Sequence, residues 1–277
     1  MATLPSTFLF SQSSLQDFAD CPRRFQLRHL RRCSWPAVQT EPLLEAERHM
    51  ERGHAFHRLA HQRHLGLDEA LLREAALGAG LEDWWESLLD HGPAGLPDSR
   101  YAECSLATPL AGHTLIAKYD LIAAEPGRLV IVDWKTSLRR PSRAGLQTRL
   151  QTHVYPYVLA MAGGRLTGQP VEPGQVEMHY WFAEFPDQPE LFRYSAEMCE
   201  QDAARLAGLI REIAACPDDG FPQAADDRSC RYCVYRSLCE REARAGAFDQ
   251  AEDDIGDDLA EDAEIRIDIQ QVAEIAY

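Results

Sequence analysis

The chain has 277 residues, 45% of them hydrophobic, which suits one large or two small globular cores that fold unaided. No apolar run is long enough to cross a bilayer, and the opening MATLPSTFLFSQSS lacks the basic flank and small-residue cleavage site of a signal peptide, so a cytoplasmic protein without membrane contact is expected. The net charge of −16 argues at first against a nucleic-acid partner, but the stretch from Asp249 to Tyr277 holds 11 acids against one base, leaving the preceding 248 residues at only −6.

Ser11 to about Arg32 reads as a helix, with Ser13 or Ser14 as cap, apolar positions at Leu15, Phe18, Phe25 and Leu27, and a kink or break at Pro22. Within it CPRRFQLRHLRR carries five arginines (23, 24, 28, 31 and 32) and no acid, either a solvated face or a track for phosphates. Helices are expected over Glu41 to about Gly66 and over Leu67 to Leu89, the latter interrupted near Gly78 and Gly80. After the loop HGPAGLP, short apolar runs at Tyr101–Thr108, His113–Ala123 and Arg128–Trp134 read as strands, the last two joined by the EPG turn. Helix returns over Gly145–Met161, strands at Gln175–Phe185 and Leu191–Tyr194, and an amphipathic helix over Ser195–Ala215. This order predicts an α/β or α+β core behind a helical insertion. The acidic tail is too poor in aromatics to pack and is expected to be flexible or weakly helical.

The segment AKYDLIAAEPGRLVIVDWKTS carries the chemistry. Asp133 and Lys135 are two apart in a strand and so share a face, and a hairpin partner brings Asp120 beside them. Two carboxylates of this kind suit Mg²⁺ or Mn²⁺, which activates water against a phosphodiester, while a lysine orients that water or offsets charge on the phosphate. Alternatively, the pair is an ordinary charged hairpin end. The chain holds only two lysines among its 28 basic residues, Lys118 and Lys135, and both fall in this segment. An ammonium has been kept there where a guanidinium is bulkier and effectively never deprotonated. GHAFH places His57 inside a helix, and QTHVY puts Gln151 and Tyr155 one turn apart on another; both can line a cleft.

CRYCVYRSLC supplies Cys230, Cys233 and Cys239, with Cys21 as a fourth thiol from the far end of the chain. In a reducing compartment such spacing indicates a metal centre rather than disulfides. The spacing leaves zinc and an iron–sulfur cluster equally open. The other four cysteines, Cys33, Cys104, Cys199 and Cys216, read as buried small hydrophobes.

Taken in order, CPRRF, GHAFH, AKYD, DWKTS, QTHVY and CRYCVYRSLC resemble the RecB-like, AddB-type nucleases of the PD-(D/E)XK superfamily, over Ser11 to about Arg241. The resemblance implies a restriction-endonuclease-like mixed sheet flanked by helices, with a nuclease domain over 1–246 (helical part 11–95, sheet core 100–215, cysteine segment 228–243) and the acidic tail at 247–277. It implies that His57, Asp120, Asp133 and the backbone carbonyl of Trp134 bind the catalytic Mg²⁺ or Mn²⁺, that Lys135 is the catalytic lysine, and that Gln151 and Tyr155 support the site. Cys21, Cys230, Cys233 and Cys239 would hold a [4Fe–4S] cluster that staples the two ends, with Zn²⁺ as the rival occupant. The implied activity is a metal-dependent DNA nuclease, a single-strand or end-directed exonuclease in repair, recombination or defence. The alternative is a non-catalytic iron–sulfur DNA-binding subunit of a helicase–nuclease complex. Two features depart from the pattern. Ala117 stands where a glycine usually precedes the first Asp, and no G-x4-G-K-[ST] loop is present, so any helicase would be a separate chain.

Overall fold

The structure is a computed structural model that describes residues 4–5, 7–33, 41–217, 219–225, 229–231 and 233–239. The expected acidic tail and the end of the cysteine segment lie outside the described residues. Strand β1 (Leu9–Phe10) leads into α1 (Gln12–Asp20), α2 (Pro22–Phe25) and a π-helical turn (Gln26–Leu30). The helix expected from Ser11 to Arg32 is thus broken at Cys21, because Pro22 has no N–H to continue the α1 ladder and takes the first position of α2. Neither Ser13 nor Ser14 is the cap. Ser11 is, its hydroxyl accepting from the Ser14 N–H at 3.2 Å while its own N–H donates to the Ser14 hydroxyl at 2.9 Å.

Helices α3 (Glu41–His64), α4 (Glu69–Gly78) and α5 (Glu82–His91) precede a strand meander of β2 (Ser99–Leu110), β3 (His113–Glu125) and β4 (Arg128–Lys135). The single helix expected over Gly145–Met161 is two, α6 (Arg143–Thr148) and α7 (Gln151–Ala162), separated where Arg149 turns extended. Then come α8 (Gly164–Thr167), β5 (Val176–Phe182), β6 (Glu190–Arg193), α9 (Ala196–Ala215) and a 3-10 turn at Arg236–Cys239. Ser195 caps α9 by accepting from the Met198 N–H at 3.2 Å.

Among the described residues, six strands form one mixed sheet. β3 pairs antiparallel with β2 along one edge, and its other edge is divided between β4, antiparallel at 121–125, and β1, parallel at Thr114 and Leu115. β4 continues in parallel onto β5, and β6 closes the far side antiparallel. Buried side chains of α1, α7 and α9 cover one face, and those of α3, α4 and α5 the other. Seven of the eight β4 residues are buried, as expected of a central strand covered on both faces. This is the helix-flanked mixed sheet of a restriction-endonuclease-like fold. Among the described residues, no helix is long and apolar enough to cross a membrane.

Two details of register shape the centre of the sheet. β3 and β4 pair only as far as Leu121 and Val132, so the next residue on each strand, Asp120 and Asp133, stands at the mouth of a split. Opposite Asp120 the β2–β3 ladder passes over Glu103, which adopts φ +52°. On one side of that point Ala117 and Tyr119 face the α7 core; on the other, Ile122 and Ala124 do, while Leu121 and Ala123 face α3. The alternation of β3 therefore reverses at Asp120.

Candidate active site

Asp120 is held from two sides. His57 Nδ1 lies 3.2 Å from Oδ1, and the Trp134 N–H, freed from the β3 ladder by the split, donates to Oδ2 at 2.8 Å. Burial alone would push the Asp120 carboxyl up, but the His57 charge and hydrogen bond, the Trp134 N–H and nearby Lys135 together hold it below the usual carboxylate value. It stays anionic at neutral pH. Asp133 is 4% exposed, with Lys135 Nζ 2.9 Å from Oδ2 and Gln151 Nε2 donating to Oδ1 at 2.7 Å. Lys135 also stands 5.9 Å from the centre of the Tyr180 ring, within cation–π range. The Tyr180 phenol meets the Thr152 hydroxyl at 2.8 Å, and burial followed by the Asp133 charge pushes it up, so it remains protonated.

Each element is placed by contacts outside these groups. On α3, positions 49, 53 and 57 recur every four residues and share the face toward the sheet. His49 Nε2 lies 2.8 Å from the Thr136 carbonyl, and a Cβ on Gly53 would stand 2.9 Å from Thr136 Oγ1. Gly53 thus lets α3 close onto the residue after Lys135. Neither role was read from the sequence, although the glycine sits in the GHAFH string itself. α7 is fixed from behind: His153 Nδ1 is 2.7 Å from Asp202 of α9, whose other oxygen accepts from the Tyr194 hydroxyl at 2.9 Å. Tyr155 is almost fully buried, its ring 5.0 Å from that of Tyr119, whose hydroxyl donates to the Tyr155 carbonyl at 2.9 Å. Those contacts brace β3 one residue from Asp120. The Trp134 side chain lies in the α3 core against Trp181.

Within the arginine run, Arg23, Arg24 and Arg28 make internal contacts, while Arg31 and Arg32 are exposed. Arg24 Nε and Arg28 Nη1 bind the two oxygens of Asp17 at 2.6 and 3.0 Å, Arg24 also binds Asp20 at 2.7 Å, and Arg23 reaches Gln26. The sequence showed the charges but not the buried Asp17 carboxylate that takes up those of Arg24 and Arg28.

Cys21, Cys230, Cys233 and Cys239 line a single pocket together with Arg24 and Leu27. The break at Pro22 sets Cys21 in extended backbone at its edge, and a turn in which the Cys233 N–H donates to the Cys230 carbonyl at 3.2 Å presents the others. Burial pushes the Cys233 thiol up against the opposing pull of the Tyr235 N–H and Arg24. Among the described residues, no three His, Cys, Asp or Glu side chains stand at the mutual distances of a ready-made site for one ion. Asp133 is turned to Lys135 and Gln151, and the four thiols line one pocket.

The sequence profile described as the PD-(D/E)XK nuclease superfamily matches residues 9–240. No curated protein matches significantly. Among solved structures, a candidate exonuclease from Eubacterium rectale is similar with a TM-score of 0.50 and 11% identity, covering 86% of this chain and 90% of its own. SSO0001 is similar with a TM-score of 0.41 and 15% identity over 84% of this chain and 85% of its own. At 11% identity the likeness to the Eubacterium rectale protein is one of fold.

Proposed function

The chain belongs to the PD-(D/E)XK nuclease superfamily, and from that premise we propose that it is a metal-dependent deoxyribonuclease of the RecB-like, AddB-type branch, acting on single strands or free ends. The observation that carries this reading is the strand split, with Asp120 and Asp133 at its mouth and Lys135 locked against Asp133. Two carboxylates and the His57 imidazole are a donor set that suits Mg²⁺ or Mn²⁺, with the Trp134 carbonyl as a backbone ligand. When bound, such an ion polarises a phosphoryl oxygen and makes a water nucleophilic near neutral pH.

The chain's own groups do the rest. His57 and the Trp134 N–H keep Asp120 anionic and oriented. Gln151 occupies one oxygen of Asp133, fixing the carboxylate in one rotamer. Lys135, 3% exposed, offers its ammonium to a water or to a phosphate oxygen on which charge develops, and the dry surroundings strengthen that interaction. The four cysteines are proposed to hold a [4Fe–4S] cluster. They line one shared pocket, and Zn²⁺ is the rival occupant of the same four thiols. We take 1–246 as the nuclease domain and a reducing cytoplasm as its setting.

Cleavage of labelled single-stranded and duplex DNA, with and without Mn²⁺, by anaerobically purified protein tests the proposal. Lys135→Ala and Asp133→Ala are expected to lower the rate by roughly a hundredfold or more. Because Asp133→Ala removes the carboxylate that faces the buried Lys135 ammonium, Asp133→Asn and a melting curve separate lost chemistry from lost folding. A fully active Lys135→Ala protein would overturn the mechanism, and well-folded, cluster-loaded wild type that cuts nothing would overturn the activity.

A further inference from the structure

A second lysine–carboxylate pair stands beside the split and is unused by the chemistry above. Lys118 Nζ lies 2.7 Å from Glu103 Oε2, both side chains about a quarter exposed. Its neighbours Ala117 and Tyr119 point into the α7 core, so Lys118 points to the opposite face, where α3 lies and Asp120 meets His57. Glu103 occupies the gap in the β2–β3 ladder opposite Asp120, at φ +52°. That left-handed conformation is unfavourable for any residue with a Cβ, and a part-exposed ion pair returns too little to account for it. Backbone strain of this kind concentrates where a site needs it.

The latter part of α3 is richer in bases than in acids although the protein is acidic. Residues 48–64 of α3 contain Arg48, Arg52, Arg58 and Arg63 against Glu51, and Arg100 is exposed on β2 nearby. His64, at the end of α3, is held down to about 4 by burial and then by the charges of Arg100, Arg63 and His61. The residue type at 118 is informative too. In a chain with 28 basic residues and two lysines, an arginine here would lock Glu103 in a forked pair, whereas an ammonium is a compact point charge that a phosphate oxygen can also engage.

We infer that Lys118 is a substrate-contact residue that takes a phosphate of the DNA strand running along α3 and β2 beside the scissile bond, with Glu103 as the internal counterion it releases. The inference rests on the nuclease reading. Glu103 then competes with DNA for Lys118, so strand binding is weaker than the ammonium alone would make it.

Binding of a labelled single-stranded oligonucleotide, measured by anisotropy over a salt series without added divalent metal, is the test, run beside cleavage kinetics. Lys118→Gln is expected to weaken binding about tenfold, to lower the salt slope by about one counterion, and to raise KM more than it lowers kcat; Lys118→Arg should restore most of the affinity. Glu103→Gly, which accepts the positive φ, should tighten binding several-fold with an unchanged melting profile or a higher one. A Lys118→Gln protein with wild-type affinity and salt slope would sink the inference. So would a folded Glu103→Gly protein that binds DNA normally but no longer cleaves, since that result would make Glu103 a ligand of the catalytic ion. Wild type that binds DNA through Lys118 yet never cleaves it would instead remove the nuclease reading and leave the contact standing.

Discussion

Asp17 is 4% exposed and receives Arg24, Arg28 and His29 within 3.0 Å, an unusual concentration of charge around one buried carboxylate. Burial pushes its carboxyl up, but the His29 hydrogen bond and the two guanidinium charges outweigh burial and hold it down at about 2. A folded value below the unfolded one of about 3.9 means that the stabilisation is fully present above that pH and is lost as pH falls toward about 2. Asp17→Asn is therefore expected to melt earlier at pH 7, where Arg24 and Arg28 lose the Asp17 charge between them, and to lose less further stability than wild type between about pH 4 and pH 2. Melting midpoints across that range check it, and parallel declines in the two proteins would show that Asp17 is not the titrating group. The same residue takes up part of the arginine run, since the charges of Arg24 and Arg28 answer an internal acid on the preceding helix.

At the scale of elements, what was legible followed from periodicity. Asp133 and Lys135 share a face because strand side chains alternate, and Gln151 reaches Asp133 from a helix that the apolar pattern had already placed over the sheet. Less legible was everything decided by how neighbouring strands part or turn. No residue in β3 announces that its alternation reverses at Asp120, because the cause lies in the backbone of Glu103, a residue type that does not advertise a positive φ. The break between α6 and α7 likewise has neither Gly nor Pro to mark it. Two-residue β1 is too short to show any period. The docking of α3 was hidden for a different reason, since it depends on what is missing at Gly53. Gly53→Ala gains about 1 kcal/mol of helix propensity but sets a Cβ 2.9 Å from Thr136 Oγ1, a clash that overpacking data value at about 1–3 kcal/mol. The expected result is a small change in melting temperature with a clear fall in kcat, as α3 shifts and His57 loosens from Asp120. Adding Thr136→Ala should recover activity; failure of that rescue would assign the loss to some other contact.

Over the whole molecule, the two ends of the described chain are brought together before any metal is considered. Phe221 stacks on Phe25 with ring centres 5.9 Å apart and meets Phe18 edge-on, while the Arg23 N–H donates to the Pro222 carbonyl at 3.0 Å. Cys21 then faces the pocket lined by Cys230, Cys233 and Cys239. A covalent tie across a loop of that length restrains the unfolded chain by on the order of 5 kcal/mol in chain-entropy terms, more than the aromatic contacts alone supply. Cys21→Ser is accordingly expected to lose iron and acid-labile sulfide and to melt well below wild type. Partial order should survive in the sheet, whose two cores do not depend on the thiols. Cys199→Ser, a buried cysteine away from the pocket, should keep its iron and most of its stability, which separates loss of the tie from general loss of a thiol. Elemental analysis and melting of the two variants decide the matter. Zinc in place of iron would keep the tie and change its occupant, whereas a Cys21→Ser protein with full metal content and an unchanged midpoint would mean that the ends are held by Phe221 and its neighbours alone.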